Sequence, residues 1–551
     1  IITLNSCSSF IEEENLSTVD ADGVYKTAAG FESLVTANYS QLRELYGSEP
    51  WLFVAGTDLY AEGKNLEPVA LSQYKLLSPS SPNVGYLYTE GFKAIQKANT
   101  GLYYSGLTAL QKANTGLYYS GLTAQSSTVN ARIGELKYLR ANAYFLLVQT
   151  YGGVPIIKDY KANPVLSFDR NSAEEVYSFI ETELVASLAL LPTGSYTGRV
   201  NKRAALDLLA KVYLTRGYET FAKSTDFANA ASYADQAIAG QSLSASNNTW
   251  MPDKDMNAET IFSVQFDASS VTADPQKLGN AQGSYFSAYL GGSEVAGKAP
   301  YKAGTLLPTD FAISLFEQGD TRWENTFMNE IYEVYYDFYD ATKKPTAKVR
   351  SFFAPKWFTA ADKTAYEANL TATGRKAANY KYFAYGTYGA NATVADYSGI
   401  PIRKFDDPKA PFATSASTPR VSTRDFIISR LSDTYLIAAE AYFKLNDQTT
   451  ALARLNAVRT RSSATPATAL TIDYILDERA RELMGEYSRW FDLKRTGKLV
   501  ERASLYHYRI RANGGAANFV GTGGALKILR PIPQDVIDLN QNKNFPQNPG
   551  Y

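Results

Sequence analysis

Histidine and cysteine occur once each in the 551 residues, as His507 and Cys7, and that scarcity removes most familiar catalytic chemistry. A Ser-His-Asp triad would have to be built on His507, no Gly-x-Ser-x-Gly turn supplies a nucleophile, and a zinc site rich in His or Cys has no ligands to draw on. A lone His in Leu505-Tyr506-His507-Tyr508-Arg509 reads as structural. With one Cys, no disulfide can form within the chain. The adjacent acids Asp406 and Asp407 are the residue types of a glycosidase, but sequence neighbours rarely converge across one bond, so the pair is expected in a solvated loop. No catalytic residue, metal ligand or cofactor is expected.

The distinctive residues are aromatic. The chain has 40 Tyr against 27 Phe and 5 Trp. Tyr joins a flat apolar ring to a hydroxyl that needs a partner, and an excess of it suits partly wet, aromatic-lined surfaces. Lys+Arg and Asp+Glu are both 55, so no net charge draws the whole molecule onto nucleic acid or an anionic membrane. A hydrophobic share of 45% with 20% charged residues belongs to a folded chain, long enough for roughly two to four domains or one repeat-built body.

Cys7 is informative through its neighbours. Ile1-Ile2-Thr3-Leu4-Asn5-Ser6-Cys7 reads like the end of a bacterial lipoprotein signal, with Asn5 the least typical position. The polar, acidic run Ser8 to Asn15 offers no helix core in which a free Cys would be buried. Cys7 is therefore expected to be lipidated, each buried methylene contributing roughly 0.8 kcal/mol to anchoring. No window carries the roughly 20 apolar residues that cross a bilayer, so membrane attachment would run through Cys7.

The elements that must position these residues are mostly helical. Glu135 to Val148 places Leu136, Leu139, Ala143, Leu146 and Leu147 on one stripe and stops at Gly152-Gly153-Val154-Pro155. Further amphipathic stretches run from Ala173 to Leu191, Lys202 to Thr215 and Phe227 to Ala239, ended by Pro192, Gly217 and Gly240. Leu431 to Leu445, Thr449 to Arg461 and Ile472 to Glu486 follow, with Ala438, Ala439, Ala441 and Ala451 small enough for close helix contact. Helix pairs of about 34 residues predict a mainly α, tetratricopeptide-like scaffold. Residues 260–306 and 329–425 are rich in Gly, Ser, Thr and Tyr, lack a sustained helical period, and read as loop-rich insertions with short strands such as Ile261 to Phe266. A fifteen-residue unit beginning at Ala94 recurs from Ala109 with only Ile95 and Leu110 differing, either a recent duplication or an error of sequence assembly.

These blocks carry a resemblance. Glu135 to Ala141 with Tyr151 to Pro155, then Ala204 to Leu214, Asn257 to Phe262, Asp320-Thr321-Arg322, Arg430 to Ala441, Leu455 to Arg461, Glu478 to Leu483 with Arg489 to Arg495, and Pro531-Ile532-Pro533 to Tyr551 resemble the SusD/RagB family of Bacteroidetes surface lipoproteins, in the family's order and over nearly the whole chain. The family pattern has room for the fifteen-residue unit once. Arg481, Glu482, Arg489, Trp490 and Asp492 among the matching residues are expected to form a buried Arg–carboxylate network beside an indole, which fixes helix packing rather than doing chemistry.

The resemblance implies a lipid-anchored, outward-facing outer-membrane binding protein that closes as a lid over a SusC-like TonB-dependent barrel. It would hand over an oligosaccharide or, in the RagB branch, an oligopeptide, without altering it. The division expected is a signal remnant and tether over 1–20, helical units over 21–259, a ligand-facing insertion over 260–425 and a helical block over 426–551. Sugar rings stack their C–H faces on flat aromatic rings, so the candidate platforms are Tyr285, Tyr289, Tyr301, Trp357, Tyr382 and Tyr385, with Trp51 and Tyr60 as outsiders near the family's other ligand-facing loop. Tyr332, Tyr335, Tyr336 and Tyr339 are spaced for packing.

Overall fold

The computed structural model describes residues 21–47, 49–63, 68–118, 127–245, 249–267, 269, 279–287, 305–389, 399–410 and 422–551. Cys7 and the acidic run after it lie outside the described residues, as does the end of the second copy of the repeat beyond Tyr118.

Helix ends fall where the sequence places its signals. Helix α1 (Ala28–Leu42) starts at Thr27, whose side chain accepts from the Gly30 N–H. Helices α2 (Tyr86–Tyr118) and α3 (Ser127–Tyr151) follow, and α3 stops at Gly152, whose φ of 76° is a left-handed conformation that a side chain would strain. Helix α4 (Ala173–Leu190) opens with a reciprocal Ser172–Glu175 capping box. Asn201 caps α5 (Lys202–Arg216), and α6 (Asp226–Ile238) ends two residues before Gly240. Helix α7 (Ala360–Ala372) belongs to the insertion, and α8 (Leu431–Lys444) and α9 (Gln448–Thr460) complete the long helices.

From α1 to α6 each helix packs on the next, α8 then packs on α6, and α9 on α8, which makes a tetratricopeptide-like row of helix pairs. Ala230, Ala231 and Ala234 on α6 and Ala438 and Ala441 on α8 are all buried, and side chains this small let the helices approach closely across the insertion. The fold is mainly α with few short strands, as the helical periods imply.

Among the described residues, seven strands form three small sheets. β1 (Tyr60–Glu62) pairs antiparallel with β3 (Leu306–Pro308), and β2 (Thr260–Val264) with β7 (Phe426–Arg430). In the third, β5 (Val349–Phe353) is central, antiparallel to β4 (Glu330–Tyr332) and parallel to β6 (Lys376–Phe383). Parallel neighbours need a crossover, and α7 supplies it.

The C-terminal helices α10 (Ile472–Glu482), α11 (Arg489–Arg495), α12 (Leu499–Tyr506) and α13 (Tyr508–Ala512) tie the parts together through buried charge. Arg322 reaches Asp320 and Glu478 at 2.7 Å and Glu482 at 3.1 Å, while Arg430 reaches Glu482 at 2.6 Å and Glu486 at 2.7 Å. Arg489 clasps Asp58 at 2.5 Å, and the Trp490 indole N–H donates to the Tyr74 hydroxyl at 3.0 Å beneath the Arg530 guanidinium. Burial works against the Glu478 carboxylate, but the guanidiniums of Arg322, Arg481 and Arg459 outweigh it and hold its pKa down to about 2.

Candidate functional site

The third sheet builds an aromatic shelf. Side chains alternate across a strand, so β5 and β6 sort their rings into two layers. Phe353 and Phe383 stack at 4.7 Å in one layer, with Phe353 fully in the core. Phe352 and its register partner Tyr382 lie in the other, 6.0 Å apart and nearly parallel, on the side that α7 covers. Tyr366 of α7 packs 4.3 Å from Phe352, and Phe358 lies 5.0 Å from Phe352 and 6.5 Å from Tyr382.

The approach to α7 holds the shelf open. Thr359 and Asp362 form a capping box that turns the chain into the helix immediately after Trp357 and Phe358. Trp357 is thereby fixed edge-on to the buried Trp323, 5.7 Å between centroids, while the rest of its ring is half exposed. Lys356 anchors the same turn by donating to the Ser314 carbonyl at 2.7 Å. Phe358, Tyr366 and Tyr382 are likewise half-buried, each with one part of the ring packed and another in water. The Lys363 ammonium sits 4.5 Å over the Tyr382 ring.

Tyr385, just past the end of β6, is 42% exposed, and burial together with the Asp310 charge raises its phenol pKa. The turn that carries it closes at Gly389, where φ is 107° and an added Cβ would meet Asp310 Oδ1 at 2.7 Å, so only glycine lets the turn lie against residues 308–313.

Of the sequence candidates, Tyr382 therefore lies in the shelf, Trp357 immediately precedes the shelf residue Phe358 in the chain, and Tyr385 follows just past the end of β6. Tyr285 is half-buried and meets Trp51 edge-on at 4.9 Å. Trp51 is 7% exposed within the apolar run Trp51–Val54, and Tyr60 is wholly buried in β1, its hydroxyl accepting from the Gly485 N–H at 2.5 Å. As placed, neither of these two offers a ring face to solvent. Tyr289 and Tyr301 lie outside the described residues.

Phe358, Tyr366 and Lys363 were not singled out in the sequence, because 329–425 reads as loop. The Thr359-x-x-Asp362 pattern just after two aromatics was the available signal for α7. Asp406 and Asp407 correct the expectation of a solvated loop. Both are buried, Asp406 accepting from Tyr335 and Tyr339 and Asp407 from Ser422 and the Thr423 N–H, because residues 422–424 fold back over them. His507 is also buried, and its Nδ1 accepts from the Ile510 N–H to cap α13, a structural duty.

Among the described residues, no group of three or more His, Cys, Asp or Glu side chains is placed to hold a metal ion. Among the same residues, no helix is long and apolar enough to cross a membrane.

A row of helix pairs that carries a half-wet aromatic shelf on a rigid insertion is the build of a binding scaffold. Residues 258–551 match the family model described as SusD family, and residues 20–214 match one described as starch-binding associating with outer membrane. The chain belongs to the SusD family. It is 27% identical over 428 residues to the starch-binding protein SusD of Bacteroides thetaiotaomicron, covering 76% of this chain and 72% of that one. Among solved structures, a laminarin-binding SusD-like protein superposes with a TM-score of 0.66 at 22% identity, over 96% of this chain and all of the other. A structure with xylogluco-oligosaccharide superposes with a TM-score of 0.66 at 18% identity, over 94% of this chain and 98% of the other. These two likenesses speak for the fold.

Proposed function

We propose that this protein captures oligosaccharide on the shelf formed by Trp357, Phe358 and Tyr382, with Tyr385 at its edge, and delivers it unaltered to a SusC-like TonB-dependent transporter of the outer membrane. In this reading Cys7 carries the lipid that holds the protein at the outer face, and residues 260–425 supply the ligand-facing part. The observation that carries the proposal is the set of half-exposed rings fixed from behind by Trp323, Phe352 and Tyr366. Rigid flat rings bind the C–H faces of sugars at little entropic cost. Starch-binding and laminarin-binding relatives agree with a glycan ligand.

The reading of binding without turnover is supported by the engagement of two carboxylates near the shelf. Asp362 is held by the Thr359 cap, and Glu330 accepts from the Tyr332 and Tyr366 hydroxyls. Glycoside hydrolysis needs two carboxyl groups facing each other across the bond, roughly 5 to 10 Å apart.

Calorimetric titration of the chain beginning after Cys7, with a panel of oligosaccharides and of mixed peptides, tests the proposal. Glycan heat should fall at least about tenfold in affinity in a folded Trp357→Ala variant, in line with the loss of one stacking ring. Release of shortened sugars from the bound glycan would instead make the protein a hydrolase or lyase. One observation favours a second reading, RagB-like oligopeptide capture: β6 is the last strand of its sheet, and its outer edge takes no further strand among the described residues. An extended peptide could add there by strand pairing, and heat from peptides alone would select that reading.

A further inference from the structure

Along the segment that builds the shelf positive charge is in excess, while Glu330 and Asp310 approach it from neighbouring segments. From Pro355 to Gly389 the chain holds Lys356, Lys363, Arg375, Lys376 and Lys381 against only Asp362 and Glu367, in a molecule whose formal net charge is zero. Some exposed lysines elsewhere meet carboxylates, as Lys409 meets Asp253, and others lie over rings, as Lys344 lies 3.8 Å over Phe338. At the shelf Lys356, Lys363 and Lys376 rest on rings or a carbonyl. Lys363 lies 4.5 Å over Tyr382, Lys376 lies 5.1 Å over Tyr380, and Lys356 donates to the Ser314 carbonyl. Glu367 stands one turn from Lys363 on α7, yet the ammonium is over the ring. The negative charge of Asp362 is already engaged by its backbone and hydroxyl bonds to Thr359.

Resting on the glycan-capture reading, we propose that the shelf selects saccharides bearing negative charge, as a uronate carboxylate or a sulfate ester, and that Lys363, supported by Lys356, determines this specificity. A pyranose that stacks on Tyr382 must take the place now held by the Lys363 ammonium. With a neutral sugar the cation loses its ring contact and gains only a hydroxyl. With an anionic sugar the displaced ammonium, on a flexible stem at the sugar's edge, gains a charge-assisted hydrogen bond instead. Lys356, next to Trp357 in the chain, keeps further donors beyond its bond to the Ser314 carbonyl.

The test uses the chain beginning after Cys7 and oligosaccharides of matched length: a neutral β-glucan, an oligogalacturonate and a sulfated galactan, with oligoglutamate as a non-saccharide polyanion. One or both charged saccharides should bind about tenfold or more tightly than the neutral one at low ionic strength, with the advantage shrinking in salt. Which of the two binds separates carboxylate from sulfate. Lys363→Gln should remove most of that advantage and leave neutral-sugar binding unchanged or tighter, and Lys356→Gln should remove part of it. Far-UV circular dichroism of each variant should match the parent.

Equal binding of neutral and charged saccharides, or a charge preference that survives both substitutions, would overturn the proposal while leaving glycan capture standing. Oligoglutamate binding as tightly as the charged saccharides would reduce the shelf to a general anion patch and overturn it too. The absence of binding by every saccharide would overturn both readings together.

Discussion

A carboxylate that leaves water for two phenolic hydroxyls keeps its proton to higher pH, and Asp406 is placed in this way. Its Oδ2 accepts from Tyr335 at 3.0 Å and Tyr339 at 2.7 Å, Oδ1 has no hydrogen-bond partner among the described residues, and burial pushes its pKa from 3.8 up to about 7. Between those values the folded chain holds a proton that the unfolded chain has released. The stability contributed by Asp406 is therefore complete below 3.8 and is lost as pH rises through about 7. Asp406→Asn, which is neutral at every pH, should flatten this slope. Its thermal midpoint relative to the parent should be higher at pH 8 than at pH 4.5, and a constant difference between the two pH values would contradict the assignment. Trp357 and Lys363 belong to the same scale, because one ring and one ammonium carry the binding predictions made above.

At the scale of elements, caps do much of the positioning. Asn201 accepts from the Ala204 N–H at 3.1 Å and donates to the Gly194 carbonyl at 3.0 Å, joining the start of α5 to the turn after α4. Asn201→Ala should destabilise the fold by about 1–2 kcal/mol, read as a lower urea midpoint with an unchanged slope. The ends of α3, α4, α5 and α6 were legible because Gly152, Pro192, Gly217 and Gly240 break the helix by their own backbone chemistry, whatever surrounds them. Helix α7 was not, because its outward face is polar and only Leu370 is buried, so no apolar stripe announces it. Tyr382 was named as a candidate, but its partners Phe352, Phe358 and Tyr366 went unread for the same reason, since the four rings meet only once α7 crosses between two parallel strands.

Across the whole molecule, buried ion pairs join segments that no single block contains. Arg430, at the end of β7, binds Glu482 at the end of α10 and Glu486 in the turn before α11, and lies 4.0 Å from Glu259 beside β2. Removing such a cation leaves buried carboxylates uncompensated, so Arg430→Met should cost about 3–5 kcal/mol in chemical denaturation. Loss of under about 1 kcal/mol would mean that the network is held by Arg322 and Arg461 alone. The network also gives the insertion its stiff base, since Arg322 ties the segment before β4 to α10.

The sequence by itself determined helices α3 to α6 and α8 to α10, their pairing into a repeat-like row, the structural duty of His507 and of the Arg–carboxylate blocks, and the family resemblance, because these rest on local backbone chemistry and on order along the chain. Only the tertiary structure decided which aromatic rings face water. Trp51 and Trp357 are the same residue type, but Tyr285 and the core close over one, whereas the other, just ahead of the Thr359 cap, packs against Trp323 and stays half-exposed. Exposure depends on what distant segments bring to the other side of the ring, and composition and period hold no record of that.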